Sequence, residues 1–560
     1  MTKTLIVGGV AGGMSTATRL RRLDEHHKIV VVERSGYVSY ANCGLPYHLG
    51  GVIDDRDALL LQSPQSLASR FRLDVRVRSE VVAIDRDRRL VRVRDLDNGG
   101  EYEETWDHLV LSPGARPIVP DVPGVRRAMA LRTVEDMDWI AAALDAGVQT
   151  ATVVGGGFVG LEVAENLHRR GIAVSIVELG DQVLAPLDPE LAAVVHVELR
   201  GRGVTLSLGV GLAKVLPTSV ELTDGTTLPA DLVVLAIGVR PEVRLATDAG
   251  LAVGQRGGIL TDEFSRTSDP RIYAVGDAVE KTDEMSEDRA LIPLANIANR
   301  QGRLVADHIA GRATAQRPHF GTAIVRVFGL QVGVVGWNEK RLRAAGRDHL
   351  VVHTHPTSHA GYFPDAEQMA LKLLVDPDGT ILGAQGVGMD GIDKRIDVLA
   401  TAMYAGVPAT ELAALELAYA PQYGSAKDPV NMLGYVAGNR LSGDERAVQW
   451  HELAAVQAAG ATVLDVRDAV ECADGSIPGS VHIPLDDLRS RHRELPPGLI
   501  VAHCGVGQRS HTAVAILSAL GHDSANLDGG YRTWLGATSD RDAIHRARRR
   551  EPRTARHLAN

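Results

Sequence analysis

Thr152-Val-Val-Gly-Gly-Gly-Phe-Val-Gly160 is the stretch that decides the fold. A short apolar run opens into Gly155, Gly157 and Gly160 at the spacing G-x-G-x-x-G, with Phe158 and Val159 between the last two glycines, and a helical pattern continues through His168. The next strand, Ala173 to Val177, ends at Glu178. Such a strand–turn–helix–strand unit cradles a dinucleotide. Its glycines let the backbone approach a pyrophosphate at the helix N-terminus, and a carboxylate about twenty residues on reaches ribose hydroxyls. Glu178 should bond a ribose 2′-hydroxyl and repel a 2′-phosphate, so NADH is expected over NADPH. A plain surface charge at a strand end is the alternative.

Working outward, the N-terminus carries a second copy. The strand Thr4 to Val7 meets Gly8-Gly-Val-Ala-Gly-Gly13, then a helix from Met14 to Leu23 and a strand Lys28 to Val32 ending at Glu33. Gly8 permits a tight turn and Gly13 close helix–strand contact, while Val10 replaces the middle glycine and Ala11 follows it. Two units in one chain predict a dinucleotide oxidoreductase. About ten residues past Glu33 lies Tyr37-Val-Ser-Tyr-Ala-Asn-Cys-Gly-Leu-Pro-Tyr47. Ser39 and Asn42 can hydrogen-bond a polar substrate there, and Cys43 is a thiol able to exchange electrons with a cofactor. A buried packing cysteine is the competing account.

Further elements follow in order. Arg72 to Glu104 reads as antiparallel strands with a turn at Asp97-Asn-Gly-Gly100, and Ser112-Pro-Gly114 as a backbone crossing between domains. Arg271 to Asp277 is a strand ending in Gly276-Asp277 before a helix. Asp277 is placed to hold ribityl hydroxyls of a flavin, or else to N-cap that helix. Pro293-Leu-Ala295 and Asn299 to Gly302 begin a long helix. Phe320 to Val436 reads as a separate α+β domain, with strands near 322–327, 331–335, 350–353, 369–375 and 381–387. Its Tyr362 and Tyr419 sit in loop-like surroundings, where half-buried packing is the usual role of an isolated tyrosine. A polar linker, Gly438 to Arg446, precedes a last domain. There a buried strand, Leu499 to His503, leads into Cys504-Gly-Val-Gly-Gln-Arg-Ser510 and a helix from His511 to Leu520. A thiol at such a junction, ringed by backbone N–H groups and Arg509, is favoured as thiolate and can hold an anion. Cys472 has no such setting and reads as inert.

The bulk numbers bound the rest. The 560 residues suit about three or four domains, and 45% hydrophobic with 23% charged residues is ordinary for a globular protein. A net charge of −10 argues against nucleic-acid or anionic-membrane partners. Three cysteines without a CxxC pair exclude a disulfide framework and point to the cytoplasm. Neither a signal peptide nor an apolar run of about 20 residues is apparent, and no metal is expected. The arginine-rich stretch Arg541 to Arg556 reads as a solvated terminal helix, with a docking role as the alternative.

In order and spacing, GGVAGG, YVSYANCGLPY, GGGFVGLE, YAVGDA and YAPQYGSAKDPVN resemble the coenzyme A-disulfide reductases, single-cysteine flavoproteins of the pyridine nucleotide-disulfide oxidoreductase superfamily. The resemblance covers about residues 1 to 440. The stretch from about 450 to 540 resembles a single rhodanese domain, with Cys504, Gly507, Arg509 and Ser510 matching its CxxGxRS loop. Its Cys-x4-Arg spacing suits sulfur rather than phosphate, since the phosphatase relatives carry one more loop residue. The resemblance implies an α/β protein: an FAD domain (1–112 and 246–320), an NAD(P)H domain (113–245), an α+β dimerisation domain (321–440), a rhodanese domain (450–540) and a basic tail (541–560).

It implies Cys43 as the redox thiol facing the flavin. Ser15, Arg19, Arg22, Ser39, Asn42 and Lys427 match positions that contact coenzyme A, where basic groups suit its phosphates. Tyr362 and Tyr419 match tyrosines that reach the other subunit's redox thiol in the family homodimer. The expected dinucleotide contacts are Gly8, Val10, Ala11, Gly13, Glu33, Arg34, Asn42, Val82, Ser112, Gly114, Gly238, Gly276, Asp277, Pro293 and Ala295, together with Gly155, Gly157, Phe158, Val159, Gly160 and Glu178. Departures are Asn296-Ile297 where Gly-Pro is more usual, Gln422 for a second Pro, and Ser476 for the customary rhodanese His.

The expected chemistry passes hydride from NADH to FAD and electrons on to a sulfur bond at Cys43. A lone cysteine cannot form an internal disulfide, so its oxidised form must include a small thiol, naturally Cys43–S–S–CoA. Attack on coenzyme A disulfide, coenzyme A persulfide or polysulfide needs a lowered pKa at Cys43 and a proton donor, for which Tyr419 assisted by Tyr362 is the choice. Cys504 would carry sulfane sulfur as a persulfide. The rivals are an NADH oxidase or peroxidase cycling Cys43 through sulfenic acid, and a non-catalytic sulfur carrier or redox sensor.

Overall fold

Runs of β-branched residues flanked by helical stretches build the first layers. The computed structural model describes residues 2–312 and 315–549, which fall into two compact units, Met1–Leu179 with Val210–Gly321, and Gly180–Gly209 with Thr322–Asn560. In the first unit a parallel sheet runs in the order Ile272–Ala274, His108–Leu111, Lys3–Val7, Lys28–Val32, Asp74–Arg76. Its central strands read as unbroken apolar runs because both faces are covered: Ile6, Val31 and Val110 pack on helices through Ala17, Leu20 and Val305, and Leu5, Val30 and Leu109 pack on the antiparallel strands through Val81, Val91 and Val93. Leu5, Ile6, Val30, Val31, Leu109 and Val110 are wholly buried. A second parallel set joins Ala173–Glu178, Thr150–Val154, Leu232–Leu235 and Met129–Ala130. The two are linked by an antiparallel pair, Ala115–Pro117 with Val239–Pro241, so the expected backbone crossing at Ser112–Gly114 is present.

The helices fall close to expectation: Ala11–Leu23 after the first glycine loop, Phe158–Arg169 after the second, and Ala295–Ile309. Two local readings are corrected. Asp74–Arg76 pairs parallel with Lys28–Val32, and only Ser79–Asp85, Leu90–Asp95 and Glu101–Thr105 form the antiparallel set. Gly276–Ala278 is a single 3-10 turn, so Asp277 caps no helix.

The second unit holds a five-stranded antiparallel sheet in the order Ala323–Val327, Leu330–Gly336, Ile381–Gly388, Ala370–Val375, Leu350–Thr354. These are the five strands expected; the helix Glu339–Ala344 between them is an addition. The helices Ile392–Ala405 and Pro429–Leu441 pack with it. A parallel sheet follows, ordered Ala447–Val448, Ser524–Leu527, Ile500–His503, Thr462–Asp465, Val481–His482.

The expected polar linker is corrected. Residues 438–441 are the last turn of Pro429–Leu441, and the side chains of Arg440 and Glu445 are buried in an ion pair. Charged residues in sequence imitate a solvated tether, but here Arg440 and Glu445 each have a buried partner, while Arg446 pairs with the exposed Asp523. The last helix runs from Gly530 to Arg549, so it includes the start of the basic stretch, while 550–560 lie outside the described residues. Among the described residues no helix is long and apolar enough to cross a membrane.

Candidate functional site

The two glycine loops of the first unit are built alike. Gly8 and Gly155 stand at φ +99° and +110°, a region that L side chains avoid, and each gives its N–H to the neighbouring strand, at Val32 O (2.9 Å) and Val177 O (2.8 Å). A Cβ on Gly13 would lie 1.9 Å from Gly8 O, and one on Gly160 2.0 Å from Gly155 O, so only glycine lets each helix close on its loop. The middle position is different. Gly157 has φ −79° and a Cβ there would meet nothing within 4 Å, and Val10 occupies the equivalent place at φ −112°. The fold itself therefore tolerates the substituted glycine.

The acids close the same way. Gly9 N–H donates to Glu33 Oε2 at 2.6 Å, and Gly156 N–H to Glu178 Oε2 at 2.7 Å. Burial pushes the Glu33 carboxyl up, against the N–H groups of Gly9 and Ser35. Both cradles suit dinucleotides: each glycine loop leads into a helix N-terminus, with a carboxylate beside it. Phe158 and Val159 form the first turn of the second helix, with Val159 exposed. Of the remaining expected contacts, Gly114, Gly238 and Gly276 all have positive φ. Val82 sits at a β-bulge between Val81 and Ala83, a device that re-aims backbone next to sites. Ser112 N–H bonds Val7 O at 2.8 Å, Ala11 and Ala295 start their helices with Pro293 just before the latter, and Arg34 is exposed. Asp277 lies 3.8 Å from Arg132 Nη2, a neighbour the sequence did not single out.

The cysteine stretch is tied directly to the first loop. Ser39 adopts φ +48°, a strained value for a non-glycine residue, and its N–H donates to Gly9 O at 2.8 Å. A 3-10 turn, Asn42–Gly44, then presents Cys43, which is exposed and free, so a packing role falls away. Its expected low pKa is corrected: partial burial of the sulfur pushes the thiol up, and the carboxylates of Glu162 and Asp277 push it further. Glu162 accepts from Tyr47 Oη at 3.0 Å, and burial raises its own pKa. Tyr47 and Glu162 each lie inside a quoted motif, but 115 residues separate them, so no local pattern announces the pair.

The expected coenzyme A contacts Ser15, Arg19 and Arg22 share one helix. Ser15 Oγ bonds Asn299 Oδ1 at 2.6 Å, Arg19 pairs with Asp307 at 2.7 Å, and Arg22 covers the Phe71 ring. Lys427 is exposed just before Pro429–Leu441 in the second unit. In that unit Tyr362 and Tyr419 are 77% and 49% exposed, with their hydroxyls 3.2 Å apart. The structure thus joins two tyrosines 57 residues apart and removes the packing account of both.

The second thiol, Cys504, is buried; Gly507 N–H points to its Sγ at 3.2 Å and Ser510 Oγ lies 3.5 Å away. The helix begins at Gln508 rather than His511, which places Arg509 and Ser510 in its first turn because Gly507, at φ +95°, ends the loop early. Arg509 pairs with Glu471 at 2.6 Å and Asp468 at 3.3 Å. Cys472 sits 3.5 Å from Asp465, and burial raises its pKa. The carboxylates of Asp188, Glu190 and Glu339 converge as metal ligands might, but the fully buried Lys372 ammonium sits against all three, at 3.0, 2.5 and 2.5 Å.

Three family models match the chain: pyridine nucleotide-disulphide oxidoreductase over 2–302, its dimerisation domain over 322–429, and a rhodanese-like domain over 449–537. The crystal structure of reduced Bacillus anthracis CoADR-RHD is 45% identical with a TM-score of 0.95, covering 96% of this chain and 98% of that one. A NAD-dependent persulfide reductase from A. fulgidus is 36% identical with a TM-score of 0.90, covering 95% and 100%. A Staphylococcus aureus coenzyme A disulfide reductase is 33% identical over 78% of this chain and its own whole length. A Methanocaldococcus jannaschii NADH oxidase is 31% identical over 79% of this chain and 99% of its own.

Proposed function

The chain belongs to the pyridine nucleotide-disulphide oxidoreductase family, and from that premise we propose that it is an NADH-dependent, FAD-containing reductase of coenzyme A disulfide or persulfide, with polysulfide as a further substrate. The observation that carries the reading is Cys43 itself. It is exposed, free of any disulfide, and held on a loop hydrogen-bonded to the first glycine cradle. Cys472 and Cys504 lie far along the sequence, and both are themselves free, so the sulfur that pairs with Cys43 comes from a substrate.

FAD, when bound across 1–112 and 246–320, supplies the transfer of an electron pair from NADH, bound by 113–245, to a sulfur bond. The chain's own residues do the remainder. Cys43 thiolate attacks one sulfur of CoA–S–S–CoA; the S–S bond breaks, one coenzyme A leaves with its electron pair and takes a proton, and Cys43–S–S–CoA remains. Two electrons then release the second coenzyme A and restore the thiolate, so one NADH and one proton yield two thiols. Attack on coenzyme A persulfide expels hydrosulfide instead. Arg19 and Arg22 meet the phosphates of coenzyme A, and Ser15, Ser39, Asn42 and Lys427 orient it. The Tyr419–Tyr362 pair supplies the leaving group's proton to the site built on Cys43 of the partner subunit. A homodimer would also cover Tyr404, Tyr423 and Tyr435, which are exposed on the 321–440 dimerisation domain. Cys504, in the rhodanese domain of 450–540, carries sulfane sulfur as a persulfide, with Arg509 at the mouth of its loop. The free thiols suit the reducing cytoplasm.

The test is NADH consumption by wild type, Cys43→Ser and Cys504→Ser with coenzyme A disulfide, coenzyme A persulfide and polysulfide. Cys43→Ser is expected to lose at least ~10³-fold with every substrate. Cys504→Ser should keep turnover of coenzyme A disulfide and of coenzyme A persulfide, which Cys43 attacks directly, and lose turnover of polysulfide, whose sulfane sulfur Cys504 carries. Full activity of Cys43→Ser defeats the reading. The likeness to a protein described as an NADH oxidase favours one alternative, a sulfenic-acid cycle at Cys43. Turnover with hydrogen peroxide equal to that with coenzyme A disulfide would support it.

A further inference from the structure

Beneath the Cys504 loop, side chains from separate parts of the second unit join in one buried network. Gly507 directs its N–H at Cys504 Sγ, and its carbonyl accepts from Asn526 Nδ2 at 3.1 Å. The same Nδ2 donates to Glu445 Oε2 at 3.3 Å, which His511 Nδ1 also meets. Glu445 Oε1 accepts from Arg440 Nε at 2.9 Å, and Arg440 Nη2 donates to Asp528 Oδ1 at 3.0 Å. The Arg440 and Glu445 side chains are only 7% and 2% exposed. Arg440 lies in the last turn of Pro429–Leu441, and both residues precede the stretch 449–537 that matches a rhodanese-like domain. The support of the sulfur loop therefore begins outside that domain.

The charge on Glu445 has a specific consequence. A carboxylate only accepts hydrogen bonds, so it requires Asn526 to present its NH₂ rather than its oxygen. Once the amide is turned that way, the second N–H falls on Gly507 O. Asn526 Oδ1 is left buried with no hydrogen-bond partner, a cost accepted only because the opposite orientation would aim oxygen at two acceptors. Holding the Gly507 carbonyl restricts rotation about its Cα, and the N–H on the other side of that Cα is the one facing the sulfur. Arg440 supplies the buried counter-charge that faces the Glu445 carboxyl.

We propose that Glu445, held by Arg440, is a positioning residue for sulfur transfer at Cys504: through Asn526 it holds the Gly507 carbonyl, and so limits rotation at the Gly507 Cα whose N–H faces the reacting sulfur. The proposal rests on Cys504 being a sulfane carrier. With thiosulfate, Cys504 thiolate attacks the outer sulfur, the S–S bond breaks, and sulfite leaves with the electron pair. Cyanide then takes the terminal sulfur as thiocyanate and the thiolate returns. In both steps negative charge gathers or disperses at the sulfur that Gly507 N–H faces, so a misaimed donor slows turnover without weakening the encounter with thiosulfate.

The experiment measures thiosulfate:cyanide sulfur transfer in the full-length FAD-loaded protein, with NADH-dependent coenzyme A disulfide reduction as the internal control. Glu445→Gln can both donate and accept, so it frees the Asn526 amide to turn; kcat is expected to fall about 10- to 100-fold with KM for thiosulfate within about twofold. Arg440→Met should do the same, and Arg440→Lys should recover at least half of the wild-type rate. Disulfide reduction stays at the wild-type rate in all three. If Glu445→Gln fails to fold, Asn526→Ser, which removes the amide bridge and leaves the Arg440–Glu445 pair, must show the same loss of kcat. Wild-type kcat in Glu445→Gln or Asn526→Ser overturns the positioning role. Absence of sulfur transfer in the wild type while disulfide reduction persists defeats the sulfur-carrier reading instead, and the proposal with it.

Discussion

Cys43 illustrates how far a residue's chemistry depends on neighbours that sequence spacing hides. Its motif, its glycine neighbour and its place after Glu33 are all legible along the chain. The direction of its pKa is not, because Glu162 and Asp277 reach it only through folding. A raised thiol pKa opposes the thiolate that attack on a sulfur bond requires. Removing one opposing charge should be visible at once. Glu162→Gln is expected to lower the pH midpoint of Cys43 alkylation, because a neutral amide no longer repels the thiolate, and to speed iodoacetamide labelling at pH 7.5 several-fold. Burial, the larger cause, remains, so the midpoint will not return to that of a free thiol. Labelling of the Cys472→Ser, Cys504→Ser background, read by mass spectrometry with and without Glu162→Gln, checks this. An unchanged midpoint would remove Glu162 from the electrostatics of the site.

At the scale of elements, the two glycine loops show which positions of a motif the backbone demands. Gly160 has no room for a Cβ, because Gly155 O would lie 2.0 Å away, and that neighbour is backbone that cannot swing aside. Gly157 has room and an ordinary φ. Gly160→Ala should therefore destabilise the first unit by about 1–3 kcal/mol, whereas Gly157→Ala should leave urea stability within about 0.5 kcal/mol of wild type and act on dinucleotide affinity alone. Urea melts with tryptophan fluorescence separate the two cases, and equal losses would contradict this reading of the loop. The same distinction explains Val10: a motif matched at its first and last glycines suffices for the strand–helix geometry. Element types were readable because glycine loops and runs of β-branched residues act over a few residues. The errors came where the same local pattern serves two outcomes. Asp74–Arg76 joins a parallel sheet although hairpin strands follow it, and the polar stretch 438–446 ends a helix instead of forming a tether.

At the scale of the molecule, the second unit is bound internally by buried charge. His353 lies between Glu190, 3.0 Å from its Nε2, and Asp528, 2.8 Å from its Nδ1, and Lys372 shares Glu190. Burial opposes a charge on His353, but Asp528 and Glu190 outweigh it and, even with Lys372 opposing, its pKa is pushed from 6.5 up to about 9. A group raised in this way stabilises the fold fully below pH 6.5 and loses that contribution as pH climbs through about 9. The change amounts to at most about 3 kcal/mol. Urea midpoints from pH 6 to 10 should fall over that window in the wild type, and His353→Gln should flatten the fall; an equal fall in both would show that other groups carry it. None of these partners is close in sequence, with 163 residues from Glu190 to His353 and 175 from His353 to Asp528. By itself the sequence determined the two dinucleotide cradles, the solitary thiol of the first unit, the five-stranded α+β sheet and the sulfur loop, since each depends on backbone rules acting within a few turns of chain. Only the tertiary structure decided which charges face Cys43, that Tyr362 meets Tyr419, and that Arg440 and Glu445 stand beneath Cys504. Electrostatic and hydrogen-bond partners are chosen by distance in space, which chain spacing does not record.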